Sequence, residues 1–231
     1  MRFKHAFHVL QATLGETLSL FASLLLYLFP DRPLDKPLPG PGVLLVHGYL
    51  HNTSPWRWFR RALHKRGVGS VNSVYYPSLL VDIPTASLSL KERIQALEKE
   101  GEPVEVLIGH SEGGLVALEY ALEQAPKGRN ITVIALGAPL NGTRMAKLPL
   151  GPGPKQMQIN SPYLHNLKKR LQSAYHIRFL AISSSLDNVV RPTQNAIWPE
   201  FPHQTFDNLG HVQLLFSPKV VDACVHFLKQ G

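Results

Sequence analysis

The chain has 231 residues, of which 44% are hydrophobic and 17% charged, and no composition shift divides it into two halves. These values exclude a disordered chain and predict one globular domain with a sizeable core. The net charge is +8 at pH 7, but the basic residues follow helical stretches without a nucleic-acid-binding signature, so we expect no nucleic-acid partner. The single Cys224 cannot form an intramolecular disulfide, and no cysteine cluster predicts a metal site or a cofactor.

The N-terminal segment, residues 1–30, contains an uninterrupted apolar run at 17–29, preceded by Arg2, Lys4 and Glu16. The run has the length of a signal-peptide core, and a helix extended toward the N-terminus would be just long enough to cross a bilayer. No small-residue cleavage site follows. We expect a membrane-associated helix, and two alternatives stay open: a cleaved signal of an exported protein, or a helix packed on the domain of a cytoplasmic one.

A Pro-rich linker at 31–41 leads into a domain at 42–231, in which short apolar runs alternate with amphipathic ones. This alternation is typical of an α/β fold, with a mostly parallel sheet covered by helices on both faces. Strands are predicted at 43–47, 70–75, 104–109, 131–136, 177–183 and 204–206. Helices are predicted at 55–65, 86–100, 112–124 and 218–229.

The segment 141–175 interrupts the alternation. It contains the run Gly151-Pro152-Gly153-Pro154 and a basic helical stretch with leucines on one side. Long connections in compact domains are often functional, so we expect a small lid, with an ordinary surface connection as the alternative.

A G-x-S-x-G motif stands between a predicted strand and a predicted helix. It places Ser111 between Gly109 and Gly113, with Glu112 directly after the serine. A serine on such a sharp turn has crowded neighbours, so the positions two before and two after must lack side chains. The motif predicts that Ser111 is a nucleophile at the end of the third strand.

A serine hydroxyl needs a base, and the base needs an orienting carboxylate, in the chain order serine, acid, histidine. Among the five histidines downstream of Ser111, His211 is predicted in a loop between the last strand and the last helix. The other four lie in or beside the insertion, the last strand and the last helix: His165, His176, His203 and His226. Asp187 follows the fifth strand and is the favoured acid. Asp207, four residues before His211, is the competitor.

The oxyanion hole requires two backbone N–H groups aimed at the developing negative charge. One is expected from Glu112, the residue after the nucleophile. The other is expected from Tyr49, in the loop after the first strand, where Gly48 allows the chain to turn.

From about Gly42 to the C-terminus the sequence resembles the bacterial lipases and esterases of the α/β-hydrolase superfamily. The resemblance rests on five motifs in the family's order: VLLVHGYLHN, LIGHSEGGLVALEYA, VIALGAPLNGTRMA, SSSLDNVV and NLGHVQLLFSP. It implies an α/β-hydrolase fold, a triad of Ser111, His211 and Asp187, and an oxyanion hole at Tyr49 and Glu112. A glutamate beside the nucleophile departs from the Gln, Met or Leu of many lipases, and no calcium-site pattern is present.

The sequence therefore predicts a serine-dependent carboxylic ester hydrolase that acts on a small-molecule ester or lipid and contacts a membrane surface. The lipid part depends on apolar residues of the expected lid: Leu148, Leu150, Met157, Tyr163, Leu164 and Leu167. Two alternatives are an acyltransferase or amidase on the same fold, and a binding protein that has the fold without the activity.

Overall fold

The computed structural model describes residues 2–27, 40–147 and 150–230. Its centre is a six-stranded sheet in the order β2-β1-β3-β4-β5-β6, and every neighbouring pair is parallel. The strands are β1 Gly42–Val46, β2 Val71–Val74, β3 Val104–His110, β4 Ile131–Leu136, β5 Ile177–Ser184 and β6 His203–Phe206. The prediction of a mostly parallel sheet of six strands is confirmed.

Seven α-helices accompany the sheet in the described residues: α1 Arg2–Tyr27, α2 Trp56–His64, α3 Ile83–Lys99, α4 Glu112–Glu119, α5 Gly153–Gln156, α6 Pro162–Gln172 and α7 Pro218–Leu228. Helix α3 begins three residues earlier than predicted, because the Asp82 side chain accepts the N–H of Thr85 at 2.9 Å and Pro84 suits the first turn. The helix predicted at 112–124 ends as a π-helical turn at Tyr120–Gln124.

Both faces of the sheet are buried, as a parallel sheet requires. One face packs against α3, α4 and α6 and the other against α2 and α7. The first core includes Leu44, Val46, Leu107, Val133, Ile94, Leu115 and Leu167. The second includes Val43, Leu45, Ile108, Ile134, Phe59, Leu63, Val221 and Cys224. The carboxyl ends of the central strands, between these two layers, are left for the loops that carry the site.

Helix α6 is the part of the predicted lid segment 141–175 that packs in the core of the domain. Its leucines Leu164, Leu167 and Leu171 are buried in the first core. Parallel strands need a crossover connection, and α6 supplies it between β4 and β5. Met157 is also core, whereas Leu150 is 69% exposed.

The shorter stretch from 144 to 156 contains a 3₁₀ helix, Arg144–Lys147, and α5. Leu148 lies outside the described residues. The lid proposal is thereby reduced to this stretch.

Helix α1 packs on the domain through one side, which includes Ala12, Glu16, Ser19 and Ser23. Its segment His8–Leu26 is long and apolar enough to cross a membrane, a criterion that signal sequences and core helices also meet. The linker predicted at 31–41 lies almost entirely outside the described residues.

Candidate active site

Ser111 occupies the sharp turn between β3 and α4. Its backbone is at φ 55° and ψ −126°, a left-handed conformation that a residue with a side chain rarely adopts. A Cβ added to Gly109 would overlap the carbonyl oxygen of Gly113, and one added to Gly113 would overlap the carbonyl oxygens of Val46 and His47. The two motif glycines are therefore required by close packing, as the sequence predicts.

His211 and Asp187 form a buried pair. The Nδ1 of His211 lies 2.8 Å from Oδ2 of Asp187, and the two residues are 4% and 0% exposed. The other oxygen, Oδ1, accepts the backbone N–H groups of Val189 at 2.8 Å and Val190 at 2.7 Å. These two hydrogen bonds fix the orientation of the carboxylate toward the imidazole. Asp207, the competing acid, is exposed to solvent.

Ser111 and His211 lie near each other at the carboxyl end of β4. The backbone N–H of Ser111 donates to the carbonyl oxygen of Leu136 at 2.8 Å. A Cβ on the next residue, Gly137, would stand 3.2 Å from Nδ1 of His211. The structure therefore brings the predicted serine, histidine and aspartate to the ends of β3, β4 and β5, where sites of parallel sheets gather.

The electrostatics favour a histidine that gains a proton easily. Burial lowers the pKa of His211, but the charge and hydrogen bond of Asp187 outweigh it, so the pKa lies above its usual value. Burial lowers the pKa of His51 to about 4, and it lowers the pKa of His110 well below the usual range. Both neighbouring rings are neutral at pH 7 and do not compete with His211 for a proton.

The predicted oxyanion loop lies directly against the nucleophile. A Cβ on Gly48 would stand 2.9 Å from Cβ of Ser111 and 3.0 Å from the carbonyl oxygen of His110. Close approach, rather than a left-handed backbone, is thus the reason for glycine here. The hydroxyl of Tyr49 donates to the carbonyl oxygen of Leu150, which ties this loop to the stretch 144–156.

Glu112 has a buried carboxyl beside the nucleophile. Burial raises its pKa to about 8, and its Oε1 has no hydrogen-bond partner among the described residues. The hydroxyl of Tyr76 lies 2.7 Å from the carbonyl oxygen of His47 and 3.1 Å from Oε2 of Glu112. The single hydroxyl proton of Tyr76 can form a good hydrogen bond with only one of these two acceptors. A protonated Glu112 can donate to Tyr76 while Tyr76 donates to His47, which links the two predicted oxyanion loops.

Sequence reasoning missed several residues of this network. His47 stacks on Tyr76 with ring centroids 4.4 Å apart, and its Nε2 accepts the N–H of Tyr76 at 3.2 Å. Asn188 accepts the N–H of His211 through Oδ1 at 3.1 Å. Asn188 directly follows the predicted acid Asp187, so its place in the sequence could have indicated a role near His211. Tyr76 is 29 residues from His47, and nothing in the sequence indicates that the two residues are in contact.

Among the described residues no group of three or more His, Cys, Asp or Glu side chains could hold a metal ion. A groove of about 810 Å³ lies at the opposite, amino ends of the strands, lined by residues such as Pro103, Asn130 and His176. It is remote from Ser111.

A sequence model of the alpha/beta hydrolase family matches residues 43–223. The chain belongs to the α/β-hydrolase family. The resemblance found in the sequence is thereby confirmed, and with it the predicted fold. The family match leaves α1 outside it. A comparison with curated protein sequences found no match.

Solved structures of other α/β-hydrolases share the fold. The mature lipase BlEst2 of Bacillus licheniformis matches with a TM-score of 0.71 at 15% identity, over 87% of this chain and 97% of that one. Lipase B of Aspergillus fumigatus matches at 0.65 and 20% identity, over 82% of this chain and 52% of that one. The monoacylglycerol lipase of Paleococcus ferrophilus matches at 0.56 and 16% identity, over 86% and 98%. At these identities the likeness supports the fold alone, and family membership supports a hydrolase.

Proposed function

We propose that this α/β-hydrolase is a serine-dependent carboxylic ester hydrolase, with Ser111 as nucleophile, His211 as general base and Asp187 as the orienting carboxylate. The observation that carries the proposal is the 2.8 Å contact between His211 and Asp187 beside a serine on a strained strand-to-helix turn. Asp187 occupies Nδ1, which leaves Nε2 as the nitrogen that exchanges a proton with the serine.

The reaction proceeds through an acyl-enzyme. Oγ of Ser111 attacks the ester carbonyl carbon while Nε2 of His211 takes the hydroxyl proton, and the carbonyl π electrons move to the oxygen. The backbone N–H groups of Tyr49 and Glu112 stabilise that oxyanion. The tetrahedral intermediate expels the alcohol, which takes the proton from His211. Water, deprotonated by the same histidine, then attacks the acyl carbon of the acyl-enzyme. The second tetrahedral intermediate expels Oγ of Ser111, which takes the proton back from His211 as the acid is released.

The substrate we propose is an ester with an apolar acyl chain. Three neighbouring loops expose leucines around the oxyanion loop: Leu50 at 58%, Leu80 at 74% and Leu150 at 69%. The loops contact each other, because the N–H of Leu50 donates to Ser78 Oγ at 3.0 Å and Gly151 packs against the backbone of Leu79. The three structural neighbours described above are lipases, which agrees with such a substrate.

We further propose that the outward face of α1 contacts a lipid bilayer. The large exposed side chains on that face are apolar, with the smaller polar Thr13 and Thr17 exposed between them: Leu10, Leu14, Leu18, Leu20, Phe21, Leu24 and Leu25. Water would solvate these groups poorly, whereas the edge of the acyl chains accommodates them. The net charge of +8 favours a membrane with anionic lipid. The helix would then hold the ester site close to its substrate.

A series of nitrophenyl esters tests the proposed function. Wild type is expected to hydrolyse butyryl and octanoyl esters at least as well as the acetyl ester, and Ser111→Ala should abolish the reaction. Asp187→Asn should lower kcat by about 10³- to 10⁴-fold, because the histidine loses its oriented tautomer. The exposed Asp207→Asn is the matched control and should retain wild-type kcat.

Two results would count against this assignment. A sharp preference for the acetyl ester would contradict an apolar acyl site. Loss of turnover in Asp207→Asn with near-normal turnover in Asp187→Asn would transfer the acid role to Asp207.

A further inference from the structure

Helix α1 presents polar and small residues to the domain and leucines to the outside. Its buried side is formed by Ala12, Glu16, Ser19 and Ser23, spaced four, three and four residues apart. A helix on a soluble domain ordinarily buries its apolar stripe. Because α1 does the reverse, its contact with the domain depends on specific polar interactions.

Glu16 makes the central one of these interactions. Its Oε1 accepts the backbone N–H of Val212 at 3.0 Å, and its Oε2 accepts that of Gln213 at 2.9 Å. Glu16 as a whole is 7% exposed. Hydrogen bonds from N–H groups to a buried carboxylate are stronger than those between neutral groups. Glu16 therefore fixes the two residues that directly follow His211.

Two glycines allow this close contact. A Cβ on Gly210 would overlap Oε2 of Glu16, and a Cβ on Gly15 would overlap the side-chain amide of Gln213. That same amide oxygen accepts the N–H of Gly210 at 3.0 Å. The helix and the histidine loop thus fit each other on both sides of the glutamate.

The contact between α1 and the histidine loop affects His211 in two ways: through the backbone that follows the histidine and through the negative charge of Glu16. Asp187 and the ring of His110 contact the imidazole directly, at 2.8 Å and with ring centroids 4.6 Å apart, and the carboxylate of Glu16 and the ring of His51 act on it at longer range. Burial lowers the pKa of His211, Asp187 raises it most, and Glu16 raises it further. Glu16 is the only one of these groups that comes from outside the residues matched by the family.

We infer that Glu16 is a positioning residue for His211: its carboxylate holds the backbone of the two residues that follow the histidine, and its negative charge acts on the imidazole. The N-terminal helix is then part of the catalytic apparatus as well as the proposed membrane contact. This inference rests on the proposed role of His211 as general base.

Kinetics of the full chain on a soluble nitrophenyl butyrate test the inference. Glu16→Ala should lower kcat by about 10- to 100-fold with little change in KM, because the loop loses its anchor and the ester contacts remain. The acid limb of kcat/KM should move to lower pH, because removal of a carboxylate lowers the pKa of His211. Glu16→Gln, which keeps one acceptor oxygen, should recover part of kcat and retain the shifted limb.

Ser23→Ala is the matched control. Ser23 is on the same buried side of α1, and its hydroxyl oxygen has no hydrogen-bond partner among the described residues. This variant should keep wild-type kcat and the wild-type acid limb.

The inference is overturned if both Glu16 variants retain wild-type kcat and acid limb while Ser111-dependent hydrolysis is intact. If Glu16→Ala fails to fold, Glu16→Gln decides, since an unmoved limb in that variant excludes the charge effect. Absence of Ser111-dependent hydrolysis in wild type would overturn the proposed function itself, and this inference with it.

Discussion

The backbone of Ser111 stores strain that its neighbours make tolerable. A left-handed serine costs on the order of 1–3 kcal/mol, which the surrounding structure must offset. The hydrogen bond from its N–H to Leu136 and the close packing of Gly109 and Gly113 hold the turn in this conformation. This conformation keeps Ser111 at the end of β3, on the turn where we propose that it acts as nucleophile.

Glu112 gives the enzyme a second titration besides that of His211. Because burial raises the pKa of its carboxyl to about 8, the carboxyl is neutral below about pH 8 and negative above it. The charge would appear beside the proposed oxyanion hole and oppose the transition state. We expect kcat/KM of wild type to fall above about pH 8 and Glu112→Gln to lack this alkaline limb, as measured on a soluble nitrophenyl ester.

The stability of the fold should also depend on the protonation of Glu112. Since folding raises the pKa of Glu112 from 4.5 to about 8, the stability that the neutral carboxyl contributes is complete below pH 4.5. It decreases as the pH rises toward 8, by up to about 1.4 kcal/mol per pH unit. The difference in Tm between Glu112→Gln and wild type should therefore grow in favour of the variant from pH 5 to 8. The exposed Glu105→Gln is the control, and equal pH dependence in all three proteins would refute the assignment.

At the scale of elements, the strands were predictable because their apolar runs are bounded by Gly, Pro and polar turns. The predicted strand 43–47 and the observed Gly42–Val46 differ by one residue. The role of α6 was not predictable, because leucines at helical spacing suit a lid and a core equally. Only the buried contacts of Leu167 with the sheet layers distinguish the two.

The pairing of α1 with the histidine loop was also beyond the sequence. Glu16 lies 196 residues from Val212, and a glutamate directly before an apolar run gives no sign of a backbone partner so far along the chain. Contacts between residues so far apart in the sequence produce no periodic pattern from which they could be predicted. The triad candidates could be inferred because their motifs are local and their chain order is restricted.

The outward face of α1 yields a prediction about membranes. Leu14, Leu18 and Phe21 are 57%, 67% and 57% exposed, and replacing all three by Gln removes apolar surface without touching the buried side. The full chain should co-sediment with vesicles of phosphatidylcholine containing a minority of phosphatidylglycerol, and the triple variant should remain in the supernatant. Its activity on a soluble ester should be retained.

Tyr175→Gln is the control for that experiment, because Tyr175 is 96% exposed but belongs to the domain rather than to α1. It should bind vesicles like wild type. Equal vesicle binding by the triple variant would show that this face is not the membrane contact.

At the scale of the whole molecule, the sheet, the loops and helix α1 have distinct roles in the proposed catalysis. The parallel sheet brings the ends of three strands together, the loops supply the serine, the aspartate and the histidine, and α1 braces the histidine from outside the family-matched residues. We propose that the exposed leucines contact the lipid substrate and the membrane, and the net charge of +8 favours a membrane with anionic lipid. All of these roles depend on Ser111 being the nucleophile.

Labelling with a fluorophosphonate tests that point most directly, because the reagent phosphonylates an activated serine and spares ordinary ones. We expect that wild type is labelled, that peptide mass spectrometry places the label on Ser111, and that Ser111→Ala is not labelled. A folded wild type that stays unlabelled, or that carries the label on another serine, would contradict it.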